Sequence, residues 1–186
     1  MRYLDLFGSM CDFSGTALFA RLSAWAWPLS LFAVVLNALL FLSSGLYGSL
    51  LLQLVYCVST LAGWYYWYSA KSEKDRPIKR VSTLSWVVYG LILFPAVLVM
   101  HLALVHFSDS SPWRDAITTI LALFAEWLLC LKVLENWCVW FVADVVYVFL
   151  FAKQGLYVHS LESAAYLVVV TLGYLKWRKT FSAQAI

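Results

Sequence analysis

Residues 27–67 and 137–177 can be written one above the other without a gap, at a constant offset of 110, and thirteen positions are then identical. The shared residues include Trp27/Trp137, Gly45/Gly155, Tyr56/Tyr166, Gly63/Gly173 and Trp67/Trp177. Whatever one stretch folds into, the other must fold into as well. Both stretches are apolar along most of their length, which limits the choice of solvent as much as the choice of fold.

With 63% hydrophobic and 12% charged residues and a mean hydropathy of +0.81, a 186-residue chain cannot hide its apolar surface from water. The chain is expected to sit in lipid, where a helix needs about 20 residues to cross the hydrocarbon core. Apolar runs at 26–43, 46–68, 83–107, 113–134, 137–152 and 156–177 supply six crossings. Residues 4–22 are less apolar, yet the offset maps them onto 114–132 and places Asp5 on Asp115. Seven helices are therefore expected, the alternative for 1–22 being a surface amphipathic helix. The opening residues lack the basic start and small-residue cleavage site of a signal peptide.

The polar stretch from Lys71 to Arg80 separates the repeats. Equivalent helices lie four crossings apart, so both repeats point the same way, and the fourth helix is the linker that restores direction. The expected architecture is all-α, in one membrane domain spanning 1–186. It comprises a first three-helix repeat (1–68), a cytosolic loop (69–82), a linker helix (83–107) containing Pro95, a second repeat (113–177) and a cytosolic tail (178–186). Ser111 is expected to cap the fifth helix, with Pro112 at its first position.

Arg21, Lys71, Lys74, Arg76, Lys79, Arg80, Lys132, Lys176, Arg178 and Lys179 fall on one side of this topology, against Arg2, Arg114 and Lys153 on the other. The positive-inside bias puts the N-terminus outside and the C-terminus in the cytosol. Charge thus concerns topology; no long basic groove is offered to nucleic acid. Cys11, Cys57, Cys130 and Cys138 have no zinc spacing and read as buried structural thiols, and His101, His106 and His159 have no ligand partner by spacing.

Polar stripes mark the candidate site. Trp137, Trp140, Asp144 and Tyr147 share an arc of about 80° on the sixth helix, and Gln53, Tyr56, Thr60, Trp64 and Trp67 share one on the third. A sparser stripe on the fifth joins Asp115, Thr118 or Thr119, and Glu126. A mid-helix carboxylate costs about 2.5–3.5 kcal/mol on insertion scales, so Asp144 needs a ligand, a wet cavity or a partner on another helix. Glu126 reads as paired. Trp67, Trp113 and Trp177, near helix ends, read as interfacial belt residues, and the four paired glycines as sites of close helix approach or tight turns.

These residues together resemble the PnuC family of bacterial vitamin transporters. The resemblance covers almost the whole chain and rests on Trp27-Pro28-Leu29, Leu51-Leu52-Gln53, Gly63-Trp64-Tyr65-Tyr66-Trp67, Asp115-Ala116-Ile117-Thr118-Thr119, Glu135-Asn136-Trp137-Cys138-Val139-Trp140 with Asp144, and Gly173-Tyr174-Leu175-Lys176-Trp177-Arg178-Lys179. It implies a fold similar to SWEET transporters, a homotrimer in the bacterial inner membrane, and facilitated diffusion of nicotinamide riboside, trapped by a cytosolic kinase. It implies that the aromatic base lies against Trp137 and Trp140, with Asp144 and Gln53 taking hydroxyl or amide hydrogens. A cationic ring would gain about 0.5–2 kcal/mol from the tryptophan faces. A proton-coupled symporter, suggested by Asp144 and Glu126, and a thiamine-type transporter are the alternatives. An enzyme is disfavoured because no Ser/His or Cys/His pair and no metal cluster can be assembled on these helix faces.

Overall fold

A computed structural model describes residues 2–43, 47–69, 76–106, 112–153, 155 and 157–184. They form seven helices: α1 Arg2–Ala20, α2 Ala26–Ser43, α3 Tyr47–Tyr68, α4 Thr83–His106, α5 Pro112–Cys130, α6 Asn136–Lys153 and α7 Tyr157–Gln184. By length and composition alone α2, α4 and α6 are apolar enough to cross a membrane. α1 packs on α2, α2 on α3, α3 on α5, α5 on α6, α6 on α7, and α7 back on α1, which closes a ring of six. α4 lies outside and, among the described residues, packs on α5 alone. It runs unbroken through Pro95. Because α1 is a member of the ring, the surface-helix alternative for it falls.

Two helices stop earlier than their apolar pattern predicts, and for the same reason. Leu22 and Lys132, 110 residues apart, hold φ of 58° and 55°. The amides of Ser23 and Leu22 donate to the carbonyls of Leu18 and Phe19 at 3.0 and 2.9 Å, and those of Val133 and Lys132 donate to Leu128 and Leu129 at 2.9 and 3.0 Å. This is the six-to-one and five-to-two bonding of a Schellman cap, usually formed with glycine at the left-handed position. With leucine and lysine there, composition gives no warning, and the fifth helix ends at Cys130 rather than at 134. The seventh, expected to stop at 177, continues to Gln184. Ser111, the expected cap of α5, lies outside the described residues.

At the end of the ring that carries these caps sits a core of four indoles. Trp27, Trp67, Trp177 and Trp137 follow one another with ring centroids 5.4, 5.9 and 5.5 Å apart. Trp67 and Trp177 are buried, which corrects the expectation that they belong to an interfacial belt; Trp113 is exposed. Trp67 Nε1 donates to the Cys130 carbonyl at 3.1 Å and Trp177 Nε1 to the Phe19 carbonyl at 3.0 Å. Each indole thereby bonds a carbonyl in the last turn of a helix from the other half of the chain; the Phe19 carbonyl also takes the Leu22 amide of the cap. Room for the rings comes from glycine. A Cβ on Gly63 would collide with the Trp27 ring, and one on Gly173 would lie 2.9 Å from Trp137.

The segment before α4 is fastened down. Lys79 N donates to the Lys132 carbonyl and Leu134 N to the Lys79 carbonyl, both at 2.9 Å, and Ile78 N donates to Gln184 Oε1 at 3.1 Å. Buried Glu135 accepts from Arg80 Nε and from Val81 N, each at 3.0 Å. The hydrogen bond to Glu135, then its charge, holds the Arg80 guanidinium above its ordinary pKa. Exposed Arg80 adds little as an ion pair. Of the cysteines, Cys11 and Cys130 are buried and Cys57 is partly so, but Cys138 is exposed: turning Trp137 inward swings the next residue outward.

Two substitutions test this core in thermal melts of the detergent-purified protein. Trp177→Phe should cost about 1–3 kcal/mol by removing the indole hydrogen bond between the halves and part of a buried ring. Gly173→Ala should also destabilise, by about 1–3 kcal/mol or more, since the Trp137 ring has nowhere to move. Wild-type melting of Gly173→Ala would contradict the packing described.

Candidate ligand-binding cavity

Inside the ring, above the indole core, lies a cavity of about 570 Å³. Its size falls within the usual range for small-molecule sites, about 300–1,000 Å³. Gln53, Tyr56 and Thr60 of α3, Glu126 of α5, and Trp137, Trp140, Asp144 and Tyr147 of α6 all line it. Thus the α6 stripe faces inward in full, and the α3 stripe does so along its first two turns.

Three candidates lie elsewhere. Trp64 is one turn beyond Thr60 and packs against the indole core. Thr118 is buried behind the wall, donating to the carbonyls of Arg114 and Asp115 at 3.0 and 3.3 Å. Thr119, one position further round α5, does not border the cavity. Trp137 contributes an edge rather than a free face, for it is only 1% exposed and packs within the core. Among the described residues its Nε1 has no hydrogen-bond partner, and neither has that of Trp27, its mate at the offset.

Asp144 is 7% exposed and has neither a hydrogen bond nor an ion pair among the described residues. Nor has Glu126, so the expected pairing of Glu126 with another side chain is not formed. No lysine, arginine or histidine is found among the cavity's described lining residues. A buried carboxylate without donors is costly, and the cavity contents must supply what the protein does not. Among the described residues no group of three or more His, Cys, Asp or Glu is gathered closely enough to hold a metal.

Sequence reasoning missed Asp12, Asn37 and Glu162, which also line the cavity. Asn37 is a lone amide in the apolar run of α2, and Glu162 lies one turn before Tyr166, the mate of Tyr56. Both were findable signals. The search followed stripes within single helices, whereas this group is assembled from three.

The lining is arranged in pairs. Thr16/Glu126, Phe19/Leu129, Ser30/Trp140, Val34/Asp144, Asn37/Tyr147, Phe41/Phe151, Gln53/Ser163, Tyr56/Tyr166 and Thr60/Val170 are all lining residues separated by 110. Equivalent positions of the two halves face one another across the cavity, but only two of these pairs are identical.

Residues 2–179 match the family described as nicotinamide mononucleotide transporter. The chain belongs to this family. Among curated relatives, the nicotinamide riboside transporter PnuC of Escherichia coli is 27% identical over 171 residues, covering 77% of this chain and 72% of the relative. The riboflavin/roseoflavin transporter RibM of Streptomyces davaonensis is 28% identical over 182 residues, covering 93% and 83%. The crystal structure of a vitamin B3 transporter PnuC superposes with a TM-score of 0.78, covering 98% of this chain and 83% of that one at 21% identity. The fold is shared. Family members and relatives are transporters rather than enzymes, and this chain is a membrane protein of that kind.

Asp144→Asn should raise the melting temperature of the ligand-free protein, by an amount equivalent to about 1–3 kcal/mol, because it removes a charge that nothing in the empty cavity satisfies. A drop in melting temperature would show that the carboxylate serves the scaffold.

Proposed function

We propose that this chain carries nicotinamide riboside, or a closely related vitamin or nucleoside, across the bacterial inner membrane by facilitated diffusion. The observation that carries this reading is a cavity of nucleoside size with an indole wall, in which, among the described residues, buried Asp144 has no hydrogen-bond partner and no lining residue is basic. A phosphorylated solute would meet uncompensated negative charge there, whereas a cationic pyridinium riboside would be drawn in. Trp140 offers its ring to the base, with Trp137 at the edge; Asp144 and Gln53 accept from amide or hydroxyl hydrogens, and Tyr56, Thr60, Glu126 and Tyr147 complete the wall. Retention needs no ion gradient if a cytosolic kinase adds a phosphate that the same cavity rejects.

The halves α1–α3 and α5–α7 are read as parallel repeats joined by α4, in the three-one-three order of SWEET transporters. Support comes from the matched caps at Leu22 and Lys132, the crossed indole bonds and the paired lining. Two such bundles can rock around a central solute. The end bearing Arg21, Arg80, Lys132 and Arg178 is the cytosolic one by its charge. On that orientation the indole core closes the inner side in this conformation. The outward apolar surface of α4, with Leu91, Phe94, Val99 and Leu102 exposed, provides a face for the homotrimer that the resemblance implies.

The unpartnered Glu126 and Asp144 favour a second reading, proton-coupled uptake. The relation to the riboflavin transporter keeps other vitamins, thiamine included, in the panel to be tested.

Trp140→Ala should weaken nicotinamide riboside binding about 5- to 150-fold, the range for one base stacked on an aromatic side chain, and Gln53→Ala about 2- to 10-fold. Calorimetry on both purified variants checks this, and unchanged affinity in the pair removes the reading. In vesicles without kinase, uptake should ignore an imposed proton gradient; acceleration would establish coupling instead.

A further inference from the structure

We propose that Asp12, braced by Asn37 and joined by Glu162, forms a hydroxyl-recognising pole that takes the vicinal diol of the ribose and fixes which way round the solute lies. The inference rests on the nucleoside reading above. Asn37 Nδ2 donates to Asp12 Oδ2 at 3.1 Å, and the other end of the amide is seated against Gly8, where a Cβ would lie 2.7 Å from Oδ1. Gly8 and Asp12 are one turn apart on the same face of α1. The amide is thus held between them, and one carboxylate oxygen is pinned. Asp12 Oδ1 has no hydrogen-bond partner among the described residues, and Asp12 borders the cavity. Glu162 of α7 borders the same region, close enough for the two carboxylates to repel. Carboxylate oxygens only accept, and a cis-diol presents two adjacent donors, so the chemistries are complementary.

The bland explanation is that Asp12 and Asn37 merely join α1 to α2. The chain contains its own control. At the offset of 110, Gly8, Asp12 and Asn37 become Thr118, Ala122 and Tyr147, and Glu162 is matched by Leu52. There α5 packs on α6 with no carboxylate at any of these positions. Since the frame stands without the acidic group in one half, its presence in the other calls for a ligand. The halves have also divided their chemistry. Trp140, Asp144 and Glu126 in the second stand opposite Ser30, Val34 and Thr16 in the first. A solute with an aromatic end and a hydroxylated end then has one favoured orientation in a pseudo-symmetric chamber.

The test compares nicotinamide riboside with its 2′,3′-dideoxy analogue on the full-length, detergent-purified protein by calorimetry. The wild type should prefer the diol at least tenfold, the usual value of hydrogen bonds to a charged group. Asp12→Ala installs the residue already present at position 122 and should erase that preference, with both affinities settling near that of the dideoxy compound. Glu162→Gln should reduce the preference in part. A purely structural role would lower the melting temperature while leaving the preference intact. Retained preference in Asp12→Ala, or no preference in the wild type, overturns the proposal alone. If the wild type binds neither compound, the nucleoside reading falls and this one with it.

Discussion

Two indole hydrogen bonds close the ring of helices. Trp67 reaches across to the end of α5 and Trp177 to the end of α1, and through them the two halves are hydrogen-bonded at one pole, while Phe13 and Tyr166 meet further along α1 and α7. Nothing between lipid-soluble helices substitutes for such bonds, because apolar contact alone does not distinguish a neighbour from the surrounding acyl chains. Around them the structure follows. The glycines at 63 and 173 are small so that Trp27 and Trp137 can enter, the caps at Leu22 and Lys132 end α1 and α5 beside the indoles, and the cavity opens where this core ends.

Helix number, most helix boundaries to within a few residues, the end of α7 apart, and the inward face of α6 were legible because they depend on local periodicity and apolar length. The stops at Ala20 and Cys130 were not, since a left-handed leucine or lysine has no compositional signature. Burial of Trp67 and Trp177 was hidden for a related reason: an aromatic residue near a helix end reads as a lipid anchor until its carbonyl partner on another segment is known. The cavity was legible where one helix supplies a whole stripe, as with Trp137, Trp140, Asp144 and Tyr147. It was invisible where three helices give one residue each, as with Asp12, Asn37 and Glu162. Trp64 was misplaced because a straight stripe continues in sequence past the point where the cavity gives way to the core.

Duplication explains both the symmetry of the frame and the asymmetry of its contents. Backbone turns, glycine seats and indole bonds have counterparts 110 residues apart, and these are the features that packing requires twice. Most of the facing cavity positions differ, and these are the ones that a single unsymmetrical solute would meet. A buried carboxylate such as Asp144 lowers the stability of the empty protein, so its placement in only one half is a trade between a stable chamber and a selective one.

The clasp made by Glu135 has no counterpart in the other half. The offset places Trp25 there, 77% exposed, and among the described residues no connecting segment is hydrogen-bonded across the α1–α2 turn. The backbone of the connecting segment is therefore riveted to the α5–α6 turn, while its Arg76 and Lys79 side chains touch the end of α3, so α4 is fastened chiefly to the second half. If the halves rock as proposed, α1–α3 would be the lighter moving part against a four-helix stator. A subunit contact made through α4 would anchor that stator without hindering the mover.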